Sequence, residues 1–147
     1  MNVNTKFHGE QEIDKDKIIH FSSGIPGFLD EKQFYLFPIE DTPLLSLQSI
    51  KNEQVAFIIT SPFAFFPDYE IVLSKEVIDL LDIQSEKDVS VFTILTVEEP
   101  FSKTTANLQA PVILNLQNNQ AKQFIMSGSP YITKHQLFSS PQEQEEK

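Results

Sequence analysis

Apolar residues fall in short runs separated by turn chemistry, and the runs read as strands. Residues 55–59 (VAFII), 89–97 (VSVFTILTV) and 112–116 (VILNL) carry apolar groups on both faces, the mark of strands buried on both sides. Further strands are expected at 18–21, 34–37, 44–50, 69–73 and 123–126. Near the start, Val3, Thr5 and Phe7 alternate with Asn4 and Lys6, the period of a half-buried strand. Pro26 followed by Gly27 supplies the central pair of a type II turn, because proline presets φ and glycine accepts a positive one. Asn118-Asn119 tolerates the left-handed region, so 112–126 reads as a hairpin. Prolines at 38, 43, 62, 67, 100, 111 and 130 stand at run edges, where a missing N–H does least harm.

One segment has helical spacing. Ser74 precedes a stripe of Val77, Ile78, Leu80 and Leu81, so a short capped helix should cover the open end or flank of the β structure. Many short strands with frequent turns predict a mainly β fold: a small closed antiparallel β-barrel-like domain with one or two short helices. The domain is expected to span 1–138. Residues 139–147 (SSPQEQEEK) contain no large apolar side chain and should form a disordered acidic tail.

Composition narrows the function. The 147 residues suit one domain. Cysteine is absent, which excludes disulfides, thiolate catalysis and cysteine-based metal sites. All eleven basic residues are lysines, and the net charge is −10. That charge opposes direct nucleic-acid binding, and no guanidinium is present to grip phosphate or guanine. It suits steering of a basic protein partner. Met1 to Lys6 lead into no apolar signal segment, and no run approaches the roughly 18 apolar residues of a membrane helix. A cytoplasmic protein without membrane contact is expected, a monomer when free.

No pattern of catalysis or metal binding emerges. His8, His20 and His135 are far apart and match no ligand spacing; there is no GxSxG; the glycines are too few for a phosphate cradle. No calcium loop is present, and the acidic pairs do not supply two facing carboxylates. We therefore expect no cofactor, no metal and no catalytic residue. The densest unusual feature is SPFAFFPDYE, residues 61–70. Phe63, Phe65, Phe66 and Tyr69 beside Asp68 and Glu70 read either as a core lid or as an aromatic anchor with a charged rim for a protein partner. Strand alternation would set Phe63 and Phe65 on one face, and Asp68 and Glu70 on one face. Asp14 and Asp16, likewise spaced by two, are second candidates for the partner surface. A rival reading is a carrier that holds an apolar ligand inside a phenylalanine-lined barrel.

Several of these segments together resemble the flagellar assembly factor FliW family of bacteria. They are Phe21-Ser22-Ser23-Gly24-Ile25-Pro26-Gly27-Phe28; Leu47-Gln48-Ser49 with Ala56-Phe57 and Ser61-Pro62; Phe66-Pro67-Asp68-Tyr69; and Thr105-Ala106-Asn107-Leu108-Gln109-Ala110-Pro111-Val112-Ile113-Leu114-Asn115. Gln123 and Tyr131 complete the pattern. The likeness covers about residues 2–135, in family order. It implies a compact β-barrel-like domain without enzymatic activity. It also implies two partners: flagellin in the cytoplasm, and the RNA-binding translational repressor CsrA. In the implied switch, exported flagellin frees the factor, the factor takes CsrA, and flagellin synthesis resumes.

Overall fold

Side-chain alternation along each strand divides the molecule into one interior and three covered outer faces. In the computed structural model, which describes residues 1–138, the strands are β1 (Asn2–Thr5), β2 (Gly9–Glu12), β3 (Ile19–His20), β4 (Gln33–Pro38), β5 (Leu45–Ser49), β6 (Ala56–Thr60), β7 (Val89–Thr96), β8 (Thr105–Ala106), β9 (Val112–Asn115), β10 (Gln120–Gln123) and β11 (His135–Gln136). The single α-helix among the described residues is α1 (Lys75–Leu80). The expected tail, 139–147, lies outside the described residues. Strands β7-β6-β5-β4-β3-β10-β9 pair in that order, and β9 returns to β7 through Val89–Phe92, so seven strands close a barrel. Closure removes the sheet edges that an open sheet would expose.

The interior takes Phe34 and Leu36 from β4, Leu45 and Leu47 from β5, Phe57 and Ile59 from β6, Phe92 and Ile94 from β7, and Val112 and Leu114 from β9. Phe21 and Ile25 enter from the β3–β4 connection. Burying such side chains stabilises the fold by about 1.5–3 kcal/mol each. The intervening residues explain why the strands are apolar on both sides. Tyr35 and Phe37 point outward under the β1–β2 hairpin, with Val3, Ile13 and Ile18. Val89, Val91 and Ile113 point outward under α1, through Val77 and Leu81. Ile58 and Leu95 point outward under the aromatic segment that follows β6. The barrel is therefore both closed and clad.

Local chemistry follows the sequence at several points. Phe28 N donates to Ile25 O at 2.6 Å and Gly27 has φ +87°, the type II geometry. Gly24, at φ +70°, has no room for a side chain, because a Cβ there would lie 2.5 Å from Leu29 O. The β9–β10 hairpin pairs Asn115 with Gln120, and Asn119 takes φ +58°. Ser74 Oγ accepts from Val77 N at 3.2 Å and caps α1.

Other expectations are corrected. The barrel is antiparallel except at one seam, where β3 and β10 run parallel at His20 and Gln120. The apolar stripe of α1 narrows to Val77 and Leu81, one turn apart; Leu80 is 47% exposed. Phe7 lies in the β1–β2 turn and is exposed. The last hairpin strand ends at Gln123. Phe124 N and Met126 N still donate to Pro111 O and Gln109 O, but Pro111 has no N–H to complete a ladder. Residues 69–73 form no ladder among the described residues. β2 (GEQE), β8 and β11 escaped the pattern, being polar or only two residues long. No described helix is long and apolar enough to cross a membrane.

Candidate protein-binding face

The interior is full. Its residual cavity, between Leu47, Ile59, Phe92 and Leu114, is about 10 Å³. Ligand sites occupy about 300–1,000 Å³, so this overturns the carrier reading. The described residues contain no group of three metal-ligating side chains. His8 lies against Phe37, His20 sits in β3 and His135 packs on Phe66, so the histidines occupy three separate places. What remains is the outer surface.

Segment 61–70 leaves β6 after Thr60, whose Oγ1 donates to Pro43 O at 2.8 Å. Pro62 opens a 3-10 turn, Pro62–Ala64, where its missing N–H costs nothing. Phe66 N then bonds Pro62 O at 2.8 Å, and Tyr69 N bonds Phe66 O at 2.9 Å. The segment is thus a pair of tight turns, not an extended strand, and the strand alternation expected of its side chains does not apply. Phe63 is 45% exposed. Phe65 and Phe66 are half-buried, Phe65 edge-on to Phe138 and Phe66 edge-on to His135.

Tyr69 is only 5% exposed and anchors the segment. Its hydroxyl donates to Leu108 O at 2.6 Å, and its ring meets Tyr131 edge-on, 4.6 Å between centroids. Burial, with a smaller contribution from Tyr131, holds its phenol well above the usual value near 10. Tyr131 in turn accepts from Glu70 N at 3.0 Å. Tyr69 and Tyr131 therefore fix a frame on which Phe63, Asp68 and Glu70 are presented to solvent. Tyr69 itself offers almost no surface.

Asp14 and Asp16 are placed elsewhere. Asp14 caps a 3-10 turn, Lys15–Lys17, its Oδ1 accepting from Asp16 N at 2.9 Å. They are not on a strand, two lysines flank them, and they adjoin the hairpin-clad face rather than the aromatic one. The structure does not join them to 63–70.

The polar residues of the resembling motifs pin the backbone. Gln48 Oε1 accepts from Lys6 N at 2.9 Å, and its Nε2 donates into the β5–β6 connection. Ser49 bonds the buried carboxylate of Glu31 and accepts from Asn52 N at 3.0 Å. Asn107 Oδ1 accepts from Ala110 N at 3.1 Å. Asn115 Nδ2 donates to Leu81 O at 2.8 Å, tying α1 to β9. Sequence reasoning missed a surface hollow of about 550 Å³ beside the aromatic segment, bordered by Glu70, Val72, Ile125 and Tyr131. Val72 gives no signal, because it sits inside the apolar run Ile71-Val72-Leu73, yet it is 85% exposed.

Comparison with known proteins places this architecture. Residues 2–137 match the protein family described as FliW protein. The flagellar assembly factor FliW of Bacillus subtilis (strain 168) is 51% identical over 138 residues, covering 93% of this chain and 96% of that protein. Its counterpart from Geobacillus sp. (strain WCH70) is 49% identical over 138 residues, covering 94% and 96%. A crystal structure of the flagellar assembly factor FliW superposes with a TM-score of 0.93 at 45% identity, covering 96% of this chain and 99% of that one.

Proposed function

The chain belongs to the FliW family of flagellar assembly factors, and from that premise we propose that it acts without catalysis, as a cytoplasmic partner switch. It binds flagellin before export. When flagellin leaves, the freed protein binds CsrA and relieves repression of flagellin synthesis. The observation that carries the reading is the match across residues 2–137, which takes in every element of the clad barrel. The filled interior supports it, because recognition is left to the outer surface.

The switch needs only mass action. A partner present at about 100 times its Kd lowers the free factor roughly a hundredfold, worth about 2.7 kcal/mol against any competitor. Where the two partners share a surface, flagellin at that excess holds CsrA off without any conformational change. The −10 charge favours a basic, RNA-binding partner by steering its encounter. Phe63, with Asp68 and Glu70 in the same segment, is the first contact we assign; Tyr69 packs against its ring, and Phe65 and Phe66 are half-buried neighbours in the segment. Asp14 and Asp16 remain second candidates on a separate face.

Size-exclusion chromatography of the purified chain with flagellin, and separately with CsrA, tests the reading. A stable complex with each is expected. Failure of either to co-elute at micromolar concentration contradicts it.

A further inference from the structure

Segment 70–73 behaves as a strand without a neighbour. Ile71 and Leu73 turn inward onto the outer apolar clusters, while Val72 between them is 85% exposed. This is the period-2 alternation of an extended chain. Among the described residues, the peptide N–H and C=O groups of Ile71, Val72 and Leu73 have no hydrogen-bond partner, and Glu70 N is held only by the Tyr131 hydroxyl. Unpaired extended backbone is a template for one more strand, and proteins that do not use such an edge blunt it with lysine, proline or a bulge. Here the outward residue is valine.

The hollow of about 550 Å³ lies along this edge. Its other wall is 124–131, where Phe124 N and Met126 N are spent on Pro111 O and Gln109 O. Ile125, between them, is 54% exposed, and neither its N–H nor its C=O is paired among the described residues. The walls hold one carboxylate, Glu70, and no lysine. An apolar residue on each wall, free backbone on each wall and a single negative charge specify one kind of occupant.

We propose that this hollow binds an extended peptide segment of a partner protein by strand addition along Ile71-Val72-Leu73, and that the segment alternates apolar with basic residues. Apolar side chains rest on Val72 and Ile125, and a lysine or arginine meets Glu70. Main-chain bonds supply affinity, and the alternate side chains supply selectivity. Glu70 also borders the face assigned above, so the inference deepens that reading by stating how a partner would be held. It does not require that partner to be flagellin or CsrA.

The probe is a fluorescent, end-capped octapeptide of alternating valine and lysine, titrated against the full chain by anisotropy. Two further peptides carry N-methyl groups on alternate amides, one in each phase. The unmodified peptide should bind, and one methylated phase should bind at least tenfold more weakly than the other. On saturation, amide exchange at 71–73 should slow at least tenfold. Glu70→Lys, at an exposed position, should weaken binding and leave the melting temperature unchanged. No binding at 1 mM peptide, equal affinity of the two methylated phases, or binding without protection at 71–73 would each overturn the proposal. The probe contains neither flagellin nor CsrA, so failure of the switch reading leaves this result intact, and the reverse.

Discussion

Tyr69→Phe removes one oxygen and tests the frame beneath the proposed binding face. The hydroxyl donates to Leu108 O over 2.6 Å, and both residues are nearly fully buried. The ring and its contacts with Phe63 and Tyr131 should persist. The change therefore strands a buried carbonyl without opening a large cavity, and should cost about 1–3 kcal/mol. Urea unfolding at neutral pH measures it. A pH series adds a second, independent check. Below the usual phenol value near 10, the folded and unfolded states both hold the proton, and the stabilisation is fully present. Above it the unfolded phenol ionises while burial keeps the folded one protonated. The wild type should then lose stability by up to about 1.4 kcal/mol per pH unit from this group. Tyr69→Phe lacks that slope, so the gap between the two proteins should narrow above pH 10. A cost below about 0.5 kcal/mol with parallel pH profiles would refute the frame.

Four shorter predictions follow from the same geometry. Gly24→Ala should destabilise far more than Gly27→Ala: both glycines have positive φ, worth about 1–2 kcal/mol of strain, but only at Gly24 would the new Cβ strike backbone, and thermal melts of the two variants compare them directly. Asn115→Ala should cost about 1–3 kcal/mol in urea unfolding, because Asp82 O and Gln117 N lose their partner and Leu81 O keeps only Asn118 Nδ2. Phe63→Ala should leave stability within about 1 kcal/mol yet weaken partner binding, whereas Phe65→Ala should lose more stability than Phe63→Ala, being half-buried; calorimetric titration beside a melt separates the effects. Association with CsrA should slow as salt rises, and Asp68→Lys should lower both the rate and its salt dependence in stopped flow, since exposed charges act over about 8 Å at physiological ionic strength.

Much of the fold was legible because the barrel obeys local rules. The two-faced runs at 55–59 and 89–97 announced strands buried on both sides, and the Pro26-Gly27 and Asn118-Asn119 turns formed as their backbone preferences require. What did not show in the sequence was which layer covers which outer face. Ile58 and Ile59 look alike, yet one meets the aromatic segment and the other the interior. The proposed binding face was less legible. Its dense aromatics and paired carboxylates marked segment 61–70, but Pro62 starts a tight turn that cancels strand alternation, so Phe63 is presented and Phe65 is tucked in. In sequence Tyr69 shares one ambiguous reading, core lid or exposed anchor, with its three phenylalanine neighbours, and its burial and long-range bond to Leu108 assign it to the lid. Asp14 and Asp16 share a spacing that means something only on a strand, and Asp14 is a turn cap. Val72 carries no signal at all, since its exposure depends on the absence of a neighbouring strand.

The central claim is that one protein serves two partners in turn. Calorimetric titration of CsrA into the purified chain, alone and after saturation with flagellin, tests it most directly. The account predicts tight binding to the free chain and a loss of apparent affinity in proportion to flagellin occupancy. Unchanged CsrA affinity on the flagellin-saturated chain would contradict it.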